Sequence, residues 1–363
     1  MVRFRELIEN NGIKYNTLSS KKKRKKQIPW ADKYRPRKLN EIVYQHEIIR
    51  MLQEVVKTGN LPHLILHGSS GVGKTSVALS IARELFGPKL MKNRVIELNA
   101  SDERGINVVR NKIVTFAKSA IGNGDPKYPS PPFQMIILDE ADAMTIEAQS
   151  ALRKTIEKYS KITRFCFICN YINQIIEPIA SRCVKFRFKP ICGKYMIKRL
   201  NFIAQNENIA INNTVIKTIS NIVDGDMRKA IMLLQNLKYM EKFKKKITVS
   251  DIYDMVGYMP IKILNKIQQI CIFDKNTDFK KIIKLTQYIK LNGYPIHNII
   301  KQIQHIIKNN DDLTDNMKSL ICMHFATTEK RLIDKGNEYL QLLSVMMCIR
   351  SVVTGASTIY SSV

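Results

Sequence analysis

The chain has 363 residues, too many for one small core, so two or three domains are expected. Hydrophobic residues make up 45% and charged ones 25%, which excludes wholesale disorder, and no apolar run approaches the roughly 18 to 20 residues that span a bilayer. Lys and Arg number 59 against 31 Asp and Glu, a formal charge of +28 that favours a polyanionic partner, nucleic acid before anionic membrane. The N-terminus lacks a signal-peptide h-region, and the seven cysteines are scattered and odd in number, as in a reducing, intracellular compartment.

The first stretch, 1–28, is strongly basic. Its centre, Lys21-Lys22-Lys23-Arg24-Lys25-Lys26, repels itself and predicts a disordered tail, either an import address, a DNA-grazing arm or a solubilising segment. From about 40 to 190, short apolar runs alternate with helical patterns. Leu61–Leu66 enters a glycine loop and a helix, Val77–Phe86; a second strand covers Arg94–Leu98 before a helix at Asn107–Ala120. Gln134–Leu138, Arg164–Cys169 and Val184–Phe188 read as further strands, with an Ala-containing helix, Ile146–Tyr159, between the first two. Continuous apolar strands separated by helices imply a parallel sheet covered on both faces, an α/β domain spanning 29–189. After Pro190 the pattern is helical throughout. Tyr195–Gln205, Asn213–Ile222 and Met227–Met240 build a small all-α domain at 190–258, and a second helical block follows at 259–363.

Gly68-Ser69-Ser70-Gly71-Val72-Gly73-Lys74-Thr75 fits G-x-x-x-x-G-K-[ST] between a predicted strand and a predicted helix. Such a loop turns successive backbone N–H groups inward around a β-phosphate, and the helix N-terminus adds partial positive charge. Lys74 reaches the β- and γ-phosphates in this motif, and the Thr75 hydroxyl is a Mg²⁺ ligand. The third strand ends in Asp139-Glu140-Ala141-Asp142. Two acids at a strand end without a neighbouring base call for a cation, which places Asp139 on Mg²⁺ and leaves Glu140 to orient or deprotonate an attacking water. That pairing points to nucleotide hydrolysis by water rather than transfer to a small-molecule hydroxyl.

Six motifs then stand in one order: Pro29-Trp30-Ala31-Asp32-Lys33-Tyr34-Arg35-Pro36, the loop at 68–75, Asn99-Ala100-Ser101-Asp102-Glu103-Arg104-Gly105-Ile106, the acids at 139–142, Ser181-Arg182-Cys183, and Gly225-Asp226-Met227-Arg228-Lys229-Ala230. In this the chain resembles the small subunits of replication factor C, the AAA+ sliding-clamp loader, over roughly 29–350; Glu329-Lys330-Arg331-Leu332 and Glu338-Tyr339-Leu340-Gln341-Leu342 look like its collar helices. The resemblance implies a P-loop AAA+ domain, a helical lid and a C-terminal helical collar. It implies a ring, pentameric with a large subunit and small-subunit neighbours, that uses ATP to open a sliding clamp and place it on primer–template DNA. It assigns Asn170 to a sensor of the γ-phosphate or lytic water, Arg228 to a second sensor in the lid, and Arg182 to a finger acting in trans on ATP held next door. It sets Tyr34, Arg35, Pro36 and Val43 around the adenine, although Tyr44 stands where the family has glycine. Arg104, Arg110 and Lys112 are its candidates for DNA phosphate contacts. Two other readings fit less well: a non-hydrolysing scaffold subunit, against which the intact Lys74, Asp139, Glu140, Asn170 and Arg228 speak, and a related initiator or branch-migration motor, against which residues 260–355 show helical patterning without a convincing β-hairpin wing. Arg153-Lys154 reads equally as an interface pair or as plain helix surface.

Cys166 and Cys169 begin a zinc-like spacing with Cys183 and Cys192, but three residues apart on a strand they point to opposite faces and read as packing. His63 and His67 flank the strand that enters the glycine loop without carboxylate or cysteine companions, which speaks against a zinc or catalytic role.

Overall fold

The computed structural model describes residues 28–100, 106–118, 122–241, 243–244, 247–274 and 278–355. The Lys21–Lys26 run and Arg104 lie outside the described residues, and for Arg110 only the backbone is described. Contacts divide the chain after Arg35. In the first unit Trp30–Lys33 forms a single helical turn (α1), and the Tyr34 ring stands edge-on to Trp30 with centroids 6.3 Å apart.

The second unit opens with α2 (His46–Thr58), whose buried Ile49, Leu52 and Val56 recur at helical spacing and which stops at Gly59 in the left-handed region. Five strands follow: β1 (Leu64–Gly68), β2 (Val95–Asn99), β3 (Gln134–Asp139), β4 (Thr163–Cys169) and β5 (Val184–Phe188). All pair in parallel, in the order β2-β3-β4-β1-β5, so every connection is a crossover. The intervening helices are α3 (Lys74–Arg94), α4 (Ile106–Lys118), α5 (Ile146–Tyr159) and the short α6 (Glu177–Ala180).

The period-two rule divides the apolar strand residues between two cores. Leu64, Leu66, Met135, Ile137, Cys166 and Ile168 pack with α2 and α3 on one face. Ile65, Ile136, Leu138, Phe165, Phe167 and Cys169 pack with α4 and α5 on the other. Both faces are therefore covered, which is why β3 and β4 are apolar without alternation. One consequence is that Cys166 and Cys169 are buried in opposite cores, where no single ion could reach both thiols; burial raises the Cys169 thiol to about 12.

One helix boundary differs from expectation. The helix expected to end at Phe86 continues, as α3, to Arg94 across a break at Gly87 (φ 65°, ψ 169°), followed by Pro88. Proline suits the first turn of a helix, so the chain kinks at Gly87 and resumes.

Beyond β5 the protein is helical: α7 (Gly193–Asn206), α8 (Asn213–Ile222), α9 (Met227–Glu241) and α10 (Val249–Val256), then α11 (Ile261–Gln268), α12 (Phe279–Leu291), α13 (Ile296–Lys308), α14 (Asp315–Ile333) and α15 (Glu338–Thr354). A π turn, Gln269–Phe273, extends α11. Helices α11 to α15 share a core of their own, centred on Ile299, Ile300, Ile321, Val345 and Met346.

Candidate nucleotide site and subunit face

The loop 68–75 joins β1 to α3 at the carboxyl edge of the sheet, where the strand ends converge. Its three glycines all take positive φ, and at two of them a Cβ would also clash. Gly68 has φ 144°, and a Cβ there would sit 2.4 Å from the Phe188 carbonyl oxygen of neighbouring β5. Gly71 has φ 67°, and its Cβ would fall 1.7 Å from Asp226 Oδ1.

Lys74 is the hub of the site. It is only 7% exposed, and its Nζ donates to the carbonyls of Gly68 (2.6 Å) and Ser69 (2.7 Å) and to Asn170 Oδ1 (2.8 Å). Burial pulls the ammonium below its ordinary pKa; Asp139 and Asp142 oppose that shift, and the Arg228 charge adds to it. Thr75 Oγ1 donates to Asp139 Oδ2 at 2.8 Å, while Asp139 Oδ1 accepts the Glu140 N–H at 2.9 Å. Glu140 stands exposed in the left-handed region (φ 53°), turned out of the strand line. Oxygen-only donors, a hydroxyl and a carboxylate within one hydrogen bond of each other, are what a hard cation such as Mg²⁺ takes.

Asn170 follows the last residue of β4 and is itself held: its N–H donates to Asp142 Oδ2 at 2.9 Å, and the Tyr171 N–H donates to the same oxygen at 3.2 Å. The last acid of the 139–142 run is thus a brace for the strand-end asparagine, a part the sequence reading leaves unassigned. Gln149 is a second unpredicted brace. Buried on α5, it donates to the Met144 and Gln174 carbonyls and accepts the Ile176 N–H, pinning the chain beyond Asn170.

The helical segment after β5 closes on the same loop. Asp226, 8% exposed, accepts the Lys229 N–H as the N-cap of α9 and also the Ser70 hydroxyl at 2.9 Å, while the Met227 N–H donates to the Gly71 carbonyl at 3.1 Å. An Asp just ahead of a helix signals a cap; its reach to the loop does not show in sequence. Arg228, next along, is exposed and lies near enough to Lys74 to act on its charge.

Pro36 and Val43 belong to the segment ahead of α2, both half-buried; Tyr34 and Arg35 lie in the first unit. Tyr44 takes φ 84°, a backbone setting that favours glycine, and its ring packs 5.4 Å from Tyr195 of α7. Buried Gln45 donates to the Lys189 carbonyl at 2.7 Å, fastening this segment to the exit of β5.

Arg182 stands apart from the loop, on the turn between α6 and β5. Its side chain is 39% exposed, with Nη2 2.8 Å from Glu157 Oε1 and Nη1 donating to the Pro178 carbonyl at 2.6 Å. Lys112 is exposed on α4, whose Ile113 and Ala117 face the sheet. Arg153 is ion-paired to Glu157 as well, at 3.2 Å.

A parallel sheet with a glycine loop at its carboxyl edge, an acid-terminated third strand and helices packed on the loop define a P-loop ATPase of the AAA type, and residues 64–191 match the family described as "ATPase family associated with various cellular activities (AAA)". Residues 259–348 match the replication factor C C-terminal domain. The chain is 47% identical to replication factor C subunit 4 of Arabidopsis thaliana over 87% of its own length and 93% of that protein's. Against subunit 4 of Homo sapiens it is 41% identical, covering 93% of each. It is 37% identical to a putative replication factor C small subunit, L510, of Acanthamoeba polyphaga mimivirus, over 90% of this chain and 97% of that one. The chain belongs to the replication factor C small subunits: it is a nucleotide-binding AAA ATPase and a component of the multi-subunit clamp loader. Among the described residues, no helix is long and apolar enough to cross a membrane.

Proposed function

We propose that the chain binds ATP with Mg²⁺ on the loop 68–75 and hydrolyses it within a ring of related subunits, in the course of opening a sliding clamp and placing it on primer–template DNA. The observation that carries this is the linked set at the sheet edge. Lys74 joins the loop to Asn170, Thr75 joins it to Asp139, and Asp226 joins it to α9. A group entering the loop therefore meets the strand ends and the following helical segment at once.

Backbone N–H groups of Gly71, Val72 and Gly73 would cradle the phosphates, with Ser69 and Ser70 shaping the turn. Lys74 would exchange its carbonyl partners for phosphate oxygens. Thr75 and Asp139 would hold Mg²⁺, which would supply positive charge against the phosphates. Glu140 would orient the attacking water and accept its proton, with Asn170 fixing the geometry. Arg228 would meet the phosphates from the lid (190–258), and Pro36 and Val43 would flank the base. Residues 259–363 would form the collar that holds the ring. Arg182, exposed and remote from its own loop, is free of the site it would have to serve in cis; that placement supports action in trans on a neighbour's ATP. Lys112, with Arg104 and Arg110, would track DNA phosphates without reading sequence. A nucleus or viral replication compartment is the corresponding site of action.

The test is reconstitution of the ring, followed by ATPase measurements with clamp and primer–template DNA. Arg182→Ala in every competent neighbour should slow stimulated hydrolysis by about 10³-fold or more, the scale of an arginine finger. Hydrolysis at the unaltered rate would remove the trans assignment.

A further inference from the structure

The outward face around Arg182 also carries a carboxylate. Glu157, near the end of α5, directs one oxygen, Oε1, at two guanidinium groups: Arg182 Nη2 at 2.8 Å and Arg153 Nε at 3.2 Å. Arg182 is gripped a second time through Nη1 by the Pro178 carbonyl at 2.6 Å, within the turn that ends α6. The guanidinium is planar, so two fixed contacts on different nitrogens set its plane as well as its position. Its remaining N–H groups stay available, and the side chain keeps 39% exposure.

We propose that Glu157 is the positioning residue of the arginine finger, holding the Arg182 guanidinium ready at the subunit face for the phosphates of a neighbour; the proposal rests on the trans reading of Arg182. Three features fit that part. Glu157 and Arg182 lie 25 residues apart, on a helix and on a turn, so their pairing is tertiary rather than a by-product of helix spacing. Arg153, one turn back on α5 and 47% exposed, occupies the same Oε1 and keeps Glu157 swung toward Arg182 while adding to the positive face. The pair is also partly solvated, with Glu157 at 41%, and exposed ion pairs of this sort are weak enough for phosphate to compete without a large barrier to release. An unheld arginine would sample many rotamers, and only a minority would address the neighbouring site.

The test uses the reconstituted ring with clamp and primer–template DNA, comparing Glu157→Ala, Glu157→Gln, Arg182→Ala and the Glu157→Ala/Arg182→Ala pair. Glu157→Ala should lower kcat for ATP about tenfold with KM little changed, a loss expected of misplacement rather than of lost nucleotide binding. Glu157→Gln, whose amide oxygen can still accept from the guanidinium, should restore most of that rate. The double variant should be no slower than Arg182→Ala alone, because Glu157 acts only through the arginine. Losses that multiply in the double variant, or wild-type kcat in Glu157→Ala while Arg182→Ala is slow, would overturn the proposal. Wild-type hydrolysis in Arg182→Ala would instead remove the trans reading beneath it. Ring assembly, checked by the native mass of each variant, separates misplacement from failed docking; a Glu157→Ala ring that does not assemble, with a Glu157→Gln ring that assembles and is no faster than Arg182→Ala, also counts against it.

Discussion

Lys74 and Asn170, separated by 96 residues, are joined by a 2.8 Å hydrogen bond from Nζ to Oδ1. The bond ties the phosphate loop to the end of β4. Lys74→Ala should abolish nucleotide binding and lower hydrolysis by at least about 10²-fold, as expected for loss of a preorganised cation at developing phosphate charge. Asn170→Ala should leave binding within a few-fold and act chiefly on kcat. Equilibrium binding of a fluorescent ATP analogue, set beside steady-state kinetics in the assembled ring, distinguishes the two losses.

Asp142 supports that asparagine from behind through the backbone N–H groups of 170 and 171. Removing the acceptor leaves two donors at the mouth of the site to find water, and Asn170 loses its fixed approach. Asp142→Ala should lower kcat about tenfold with nucleotide affinity retained. Asp142→Asn, which keeps an accepting oxygen, should fall between it and the parent. An equal loss in the two variants would mean that the charge of Asp142, and not its hydrogen bonds, matters.

The two kinds of signal in the chain differ in range. Strands β3 and β4 were legible because a sheet covered on both faces writes itself as continuous apolar runs, β5 because its Val184, Phe186 and Phe188 alternate with basic residues at the sheet edge, and the loop 68–75 because a phosphate cradle needs a fixed local spacing. Asn170 and Arg182 are single polar residues at strand or turn ends, and only a resemblance across several ordered motifs gives them a part. Asp142, Asp226, Gln45 and Glu157 carry contacts across 28, 156, 144 and 25 residues, and no local pattern encodes such pairings. The end of α3 runs the opposite way. Gly87-Pro88 is a strong local stop, and the structure meets it with a kink, then continues.

Tyr44 sets a backbone cost against a packing gain. A side chain in the left-handed region costs roughly 1–2 kcal/mol relative to glycine. Contact of its ring with Tyr195, 5.4 Å between centroids, returns about 0.5–1.5 kcal/mol. Tyr44→Gly should therefore change stability by no more than about 1 kcal/mol, since it relieves the strain and loses the ring together. Tyr44→Ala keeps the strain and loses the ring, and should be less stable than Tyr44→Gly by about 1 kcal/mol. Urea unfolding of the three proteins orders them directly.

Acid sensitivity should enter through His63. The residue precedes β1, its Nδ1 accepts the Phe165 N–H at 3.1 Å, and burial with the nearby Arg164 charge lowers its pKa from 6.5 to about 4. The fold thus holds the neutral imidazole, with Nδ1 unprotonated. An unfolded chain protonates His63 near pH 6.5 while the native one resists, so its stabilising contribution is complete above that pH and declines as pH falls toward 4. Asp251 behaves similarly over a lower range. Lys244 and the Thr248 N–H hold its carboxyl down at about 2, so its share persists to near pH 4 and disappears below it. Denaturant unfolding should accordingly show stability decreasing from pH 6.5 to 4, with a shallower slope in His63→Gln, and a further decrease below pH 4 that Asp251→Asn removes. An equal slope in His63→Gln between pH 6.5 and 4 would assign that proton uptake to other groups.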